Sequence, residues 1–174
     1  MRQQLLATAM AVSVAAKGGD MAFSLTSTVF SNGEVIPARF TCDGADVSPA
    51  LAWSGAATGT KTFTLILDDS DAKGWSHWVL YDLPASATAL PENVVKTDTL
   101  ADLGGARQGM TDFRLVGYGG PCPPPGRPHH YHFKLYALDT SLALPPGAAK
   151  QDVERAMQGH ILGIARLMGT YERR

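Results

Sequence analysis

The apolar residues of this chain come in short runs of strand length, and each run is closed by glycine, proline or an acidic turn. Lys61–Asp68 (KTFTLILD) alternates and then becomes continuously apolar, as a strand entering a core does. His77–Leu83 (HWVLYDL) stops at Pro84. His129–Leu138 (HHYHFKLYAL) alternates so that His129, Tyr131, Phe133 and Leu135 share one face. Weaker strands are predicted at Phe23–Thr26, Ala38–Thr41, Leu51–Trp53 and Leu115–Gly117. The 18 glycines and 11 prolines make up about a sixth of the 174 residues, against a usual ~12%, and no internal repeat accounts for them. A turn-rich, mainly β fold follows. One helix is predicted, over about 152–171, because Val153, Ala156, Met157, His160, Ile161, Ile164 and Met168 fall at helical spacing. Gly159, Gly163 and Gly169 each weaken it by about 1 kcal/mol relative to alanine, so it is expected to pack closely on a sheet. His160, on its apolar stripe, is expected to be buried and hydrogen-bonded.

The chain is long enough for one domain, 21–174, with a core that needs neither metal nor disulfides. With 15 basic and 16 acidic side chains the net charge is −1, which argues against a nucleic-acid binder. Residues 1–20 carry an apolar run, Leu5–Ala16, too short to span a bilayer. They fit a signal peptide or a cytoplasmic extension equally, so the compartment stays open. Cys42 and Cys122 are too few for a disulfide scaffold and too far apart for a CxxC motif; one long bridge and two buried thiols are both open.

Three clusters could carry chemistry. Asp68-Asp69-Ser70-Asp71 ends the first strong strand; a turn capped by Asp71 is the plainer reading, an acid-base or metal role the sharper one. His77 opens an apolar strand between Trp75 and Trp78, where desolvation lowers a histidine pKa. It reads either as a site residue or as a core histidine held by a carboxylate. The third cluster is the loop from Gly117 to Pro128, with five prolines and four glycines in twelve residues, running into His129. Proline fixes φ and removes amide donors, so this loop reads as the preformed wall of a pocket. There is no P-loop, no HExxH helix and no GxSxG elbow. His130 and His132 face away from His129, which makes them poor partners for one zinc site.

The stretch Phe40-Thr-Cys-Asp-Gly44, then Ser48-Pro49, Asp69-Ser-Asp71, His77–Pro84, Gly117–Pro125 and His129-His-Tyr131, in this order, resembles the phosphatidylethanolamine-binding protein family. It is most similar to the bacterial branch described as Raf kinase inhibitor-like. The resemblance runs from about Phe23 to Tyr171. It implies a β-sandwich of two antiparallel sheets with a small anion-binding pocket at one end. It places Asp69, His77, His129 and Tyr131 in that pocket, with Pro123 and Pro124 at its rim. The chain departs from the family pattern at Ser70, where proline is usual, and at Pro128, where a polar residue is usual. The function implied is non-enzymatic binding of a phosphate-bearing or carboxylate ligand, with inhibition of a kinase or protease as the regulatory role. No cofactor or metal is implied. The alternative is a hydrolase or metal-dependent enzyme built from Asp69, Asp71, His77 and His129. The resemblance further implies a homodimer, and it brings Cys42 and Cys122 close together.

Overall fold

The computed structural model describes residues 22–173, so the N-terminal segment read above as leader or extension lies outside the described residues. Nine strands and one helix follow in order: β1 (Ser24–Ser27), β2 (Leu51–Ser54), β3 (Thr62–Asp69), β4 (Trp75–Pro84), β5 (Ala89–Leu90), β6 (Thr99–Leu100), β7 (Ala106–Gln108), β8 (His129–Leu138), α1 (Lys150–Met157) and β9 (Ile161–Tyr171). They form an antiparallel three-stranded sheet, β1-β2-β5, and an antiparallel six-stranded sheet, β6-β7-β4-β3-β8-β9. This is the expected β-sandwich.

Period-two alternation decides which residues meet between the sheets. Phe63, Leu65 and Leu67 of β3 and Phe133 and Leu135 of β8 face Leu25, Leu51 and Trp53 of the small sheet. The opposite face of the large sheet is covered as well. Ile66, Val79 and Tyr81 pack there against Val153 and Met157 of α1, with Leu142 and Leu144 from the preceding loop. Strand β3 is therefore buried at all eight positions, which explains why its sequence stops alternating.

Four sequence expectations are corrected. The helix ends at Met157, not near 171: Gly159 takes a left-handed φ of +81°, and the chain re-enters as β9. Residues 161–171 satisfy both periods, but burial alternates through Ala165, Leu167, Gly169 and Tyr171, and pairing with β8 supplies the backbone partners. His160 is consequently exposed, with Nδ1 2.8 Å from Asp139 Oδ1. Ala38–Phe40 is a 3-10 turn rather than a strand, and Leu115–Gly117 contributes only a bridge between Val116 and Met110. The expected close packing of a helix on a sheet is not what the glycines serve: Gly169 is itself in the sheet, and the approach is by side chains of the 30–36 segment, which is in no strand. A Cβ on Gly169 would lie 2.5 Å from Ile36 Cγ1 and 2.9 Å from Phe30 Cε2, both side chains buried.

Gly169→Val is therefore expected to destabilise the fold by about 1–3 kcal/mol through overpacking. For a domain of this size that lowers Tm by roughly 3–10 °C. A thermal unfolding curve checks it, and an unchanged Tm would show that the Ile36 pocket has room.

Candidate functional site

At one end of the large sheet, β3 finishes where β4 and β8 begin, and the 117–128 loop folds over the opening. The result is a cleft of ≈ 210 Å³ whose polar groups are Asp69, His77 and His129. Its walls are Trp75, Phe113, Pro123 and Pro124, with Ala72 and Cys122 completing the lining. A larger groove of ≈ 390 Å³ along Pro91, Val94, Val95 and Leu100 has no histidine or cation.

Asp69 is the hinge of the cleft. Its Oδ1 accepts from the backbone N–H of Asp71 (2.9 Å) and Ala72 (3.2 Å), capping the 3-10 turn Ser70–Ala72. Its Oδ2 lies 2.7 Å from His129 Nδ1, and both residues are buried. A carboxylate there only accepts, so His129 carries its proton on Nδ1, and Nε2 has no hydrogen-bond partner among the described residues. His77 is fixed from the other side: Nδ1 donates to the carbonyls of Gly119 (2.9 Å) and Gly120 (3.1 Å). Its Nε2 likewise has none. Burial pushes the His77 pKa below the usual imidazole value, against the opposing pull of those carbonyls and of Asp69. Its ring stands edge-on to Phe113 (5.0 Å) and Tyr131 (5.2 Å).

A β-bulge aims His77. Leu67 pairs with Trp78, but the next residue, Asp68, pairs with Ser76, so His77 is the extra residue on β4. Strict alternation would send it to the face opposite Trp78. The bulge breaks the alternation and turns the ring to the cleft.

The overhanging loop is tied to the 40–46 segment. Cys42 and Cys122 form a disulfide, Cys42 N–H donates to Pro121 O (3.1 Å), Gly120 N–H to Asp46 Oδ1 (2.7 Å), and Tyr118 Oη–H to Phe40 O (2.5 Å). Gly120 has no space for a side chain, since a Cβ would lie 2.5 Å from Phe40 O.

A family model described as phosphatidylethanolamine-binding protein matches residues 26–172. The chain belongs to the phosphatidylethanolamine-binding protein family. A UPF0098 protein of Methanothermobacter thermautotrophicus is 49% identical over 152 residues, covering 86% of this chain and 99% of the relative. The UPF0098 protein YbcL of Escherichia coli is 42% identical over 128 residues, 68% of this chain and 70% of YbcL. The crystal structure of YbcL, described as a member of the mammalian family, superposes with a TM-score of 0.82 at 34% identity, covering 88% of this chain and all of that one. The homolog CT736 of Chlamydia trachomatis superposes at 0.78 with 36% identity, covering 88% and 99%.

Against the family pocket expected from sequence, the structure brings Asp69, His77, His129, Pro123 and Pro124 to one cleft. Tyr131 packs against the His77 ring instead of lining the cleft, fully buried, its hydroxyl without a hydrogen-bond partner among the described residues. Burial, and then the charge of Asp69, hold that phenol far above the usual tyrosine pKa. Asp71 points elsewhere: its Oδ2 accepts from His130 N–H and Nδ1, both at 2.8 Å, and these contacts hold it below the usual carboxylate range. Asp68, on the far face of β3, is paired with Lys134 (2.6 Å) and Lys150 (3.3 Å). Of the four residues of the enzyme alternative, Asp69, His77 and His129 share the cleft and Asp71 does not, and among the described residues no group of three His, Cys, Asp or Glu is placed to hold a metal ion. Phe113 was missed by sequence reading. It arrives from a connecting segment with no periodicity, and its contacts with Trp75 (ring centroids 5.8 Å apart) and His77 make it a wall.

His77 is expected to titrate below ~6.5 in the folded protein, with the proton on Nδ1 when neutral. Because the folded pKa lies below the unfolded one, its contribution to stability is intact above pH ~6.5 and is lost as pH falls. Nitrogen-15 NMR of the imidazoles gives tautomer and midpoint together; a midpoint at or above the unfolded value would contradict this account.

Proposed function

We propose that this protein is a non-enzymatic binder of a small anionic group, phosphate or carboxylate, carried on a head group or on a protein segment. The observation that supports it most is the shared arrangement of two histidines. Each ring has Nδ1 engaged by the protein and Nε2 unpaired at the same small cleft. A protonated Nε2 donates a charge-assisted hydrogen bond to an anion. Asp69, already accepting from three donors, balances the His129 ring from behind without facing the ligand as a bare charge. Neutral His77 offers an acceptor at Nε2 instead, which suits the hydroxyl of a monoprotonated phosphate. The cleft has apolar walls and few polar groups, as small-ligand sites do. No free nucleophile stands beside it: Cys122 is bridged, and Ser70 Oγ is turned to His132 Nε2 (3.2 Å). This favours binding over catalysis. Regulation of a kinase or protease would use the same cleft, with the anion presented by the target.

Sulfate is a suitable probe because its own charge is constant from pH 5 to 8. Calorimetric titration is expected to show affinity rising as pH falls, and still rising below ~6.5 because His77 titrates late. A charge-assisted hydrogen bond contributes about 1.5–3 kcal/mol, so His77→Ala and His129→Ala should each weaken acidic-pH binding roughly tenfold to a hundredfold. Asp69→Asn presents an amide N–H to His129 Nδ1 and drives the ring to its Nε2–H tautomer, which flattens the pH profile. Unchanged affinity in both histidine variants, with the fold intact, would place the anion elsewhere.

The second copy implied by family resemblance would use the exposed apolar residues beside the cleft, Met110, Phe113 and Leu115. Sedimentation at micromolar concentration is expected to give a dimer that Leu115→Glu dissociates; a monomeric wild type removes the proposal.

A further inference from the structure

We propose that the Cys42–Cys122 bridge is a thiol–disulfide exchange site, opened at Cys42 by a dithiol, with Cys122 leaving into the anion cleft so that reduction and anion binding oppose each other. This rests on the anion-binding reading above.

The two sulfurs have different surroundings. Cys42 lies in the exposed stretch Cys42–Ala45, within reach of a solvent thiolate. Cys122 is half-buried and lines the cleft together with His77 and His129. Attack by a thiolate on Cys42 Sγ forms a mixed disulfide there and breaks the bond to Cys122 Sγ, whose sulfur takes the electron pair. The second thiol of the dithiol then displaces Cys42 as a thiolate. The dithiol is oxidised by two electrons, and the bridge takes them up. A leaving group departs faster when its negative charge is stabilised. Here the charge appears at the wall of a cleft that also holds two imidazoles whose Nε2 atoms have no partner among the described residues, while Asp69 is occupied by His129 and two backbone amides. The cleft that holds an external anion is thus arranged to hold the departing one. An anion already in the cleft opposes the charge that develops on the departing sulfur.

Opening the bridge does not by itself detach the loop, because Cys42 N–H to Pro121 O, Gly120 N–H to Asp46 and Tyr118 to Phe40 O remain. The change is local: a new thiol at the wall, and looser support for the Gly119 and Gly120 carbonyls that orient His77.

The test uses the folded full chain with dithiothreitol, at pH 7 and constant ionic strength, in chloride or in sulfate. Free thiols are counted over time and circular dichroism is followed alongside. The bridge is expected to open with the β spectrum retained. Saturating sulfate should disfavour reduction on the order of tenfold, and the reduced protein should bind sulfate weaker by the same factor, since coupling between two sites is reciprocal. His129→Gln should slow reduction in chloride. Reduction only on loss of the β spectrum would overturn the proposal. So would a reduction equilibrium indifferent to sulfate in a protein that binds sulfate. If the oxidised protein binds no sulfate, the anion reading fails separately. The exchange is then judged by His129→Gln alone: a slower rate upholds Cys122 as the leaving group, and an unchanged rate removes it.

Discussion

Strand β3 is buried on both faces along its whole length, so its backbone must pair on both sides and its terminal carboxylates must find partners inside the protein. An unpaired buried charge costs several kcal/mol, which makes this a strict requirement. The two acids meet it in opposite directions. Asp68 turns to the outer face, where Lys134 and Lys150 reach it from β8 and α1. Lys150 also donates to Gly74 O (2.7 Å), so the same pair ties the helix to the β3–β4 turn. Asp69 turns to the inner face and captures two amides of that turn and the ring of His129. The placement of the cleft follows from how β3 ends.

Much of this was legible in the residues. Strand β8 alternates so regularly that the shared face of His129 and Tyr131 could be read directly. The proline-rich loop declared a rigid wall before its target was known. The grouping of Asp69 with His129 came from the family resemblance alone, because the residues did not show that β3 lies beside β8, where Asp69 opposes Tyr131 across the ladder.

What was not legible has physical reasons. Residues 161–168 carry apolar side chains at both strand and helix periods, and intrinsic preference cannot choose between them. The neighbouring strand β8 chose, by offering backbone partners that an isolated segment lacks. His77 was hidden differently. Its contribution depends on one bulged residue on β4, a defect in register that no alternation pattern announces. Nor did the sequence point to two carbonyls as its partners, because the plain alternative assumed a carboxylate. Phe113 belongs to a segment with no period at all, and its role appears only once the loop lies against Trp75.

The crowding at Gly120 divides the cleft into parts with different evolutionary freedom. Any side chain there would run into the Phe40 carbonyl and displace the backbone that holds His77. The floor can therefore change only by several substitutions made together, whereas Pro124, Trp75 and Phe113 at the exposed rim can be exchanged one at a time. Descendants of such a chain would keep the setting of the His77 ring and vary the side chains at the rim around it.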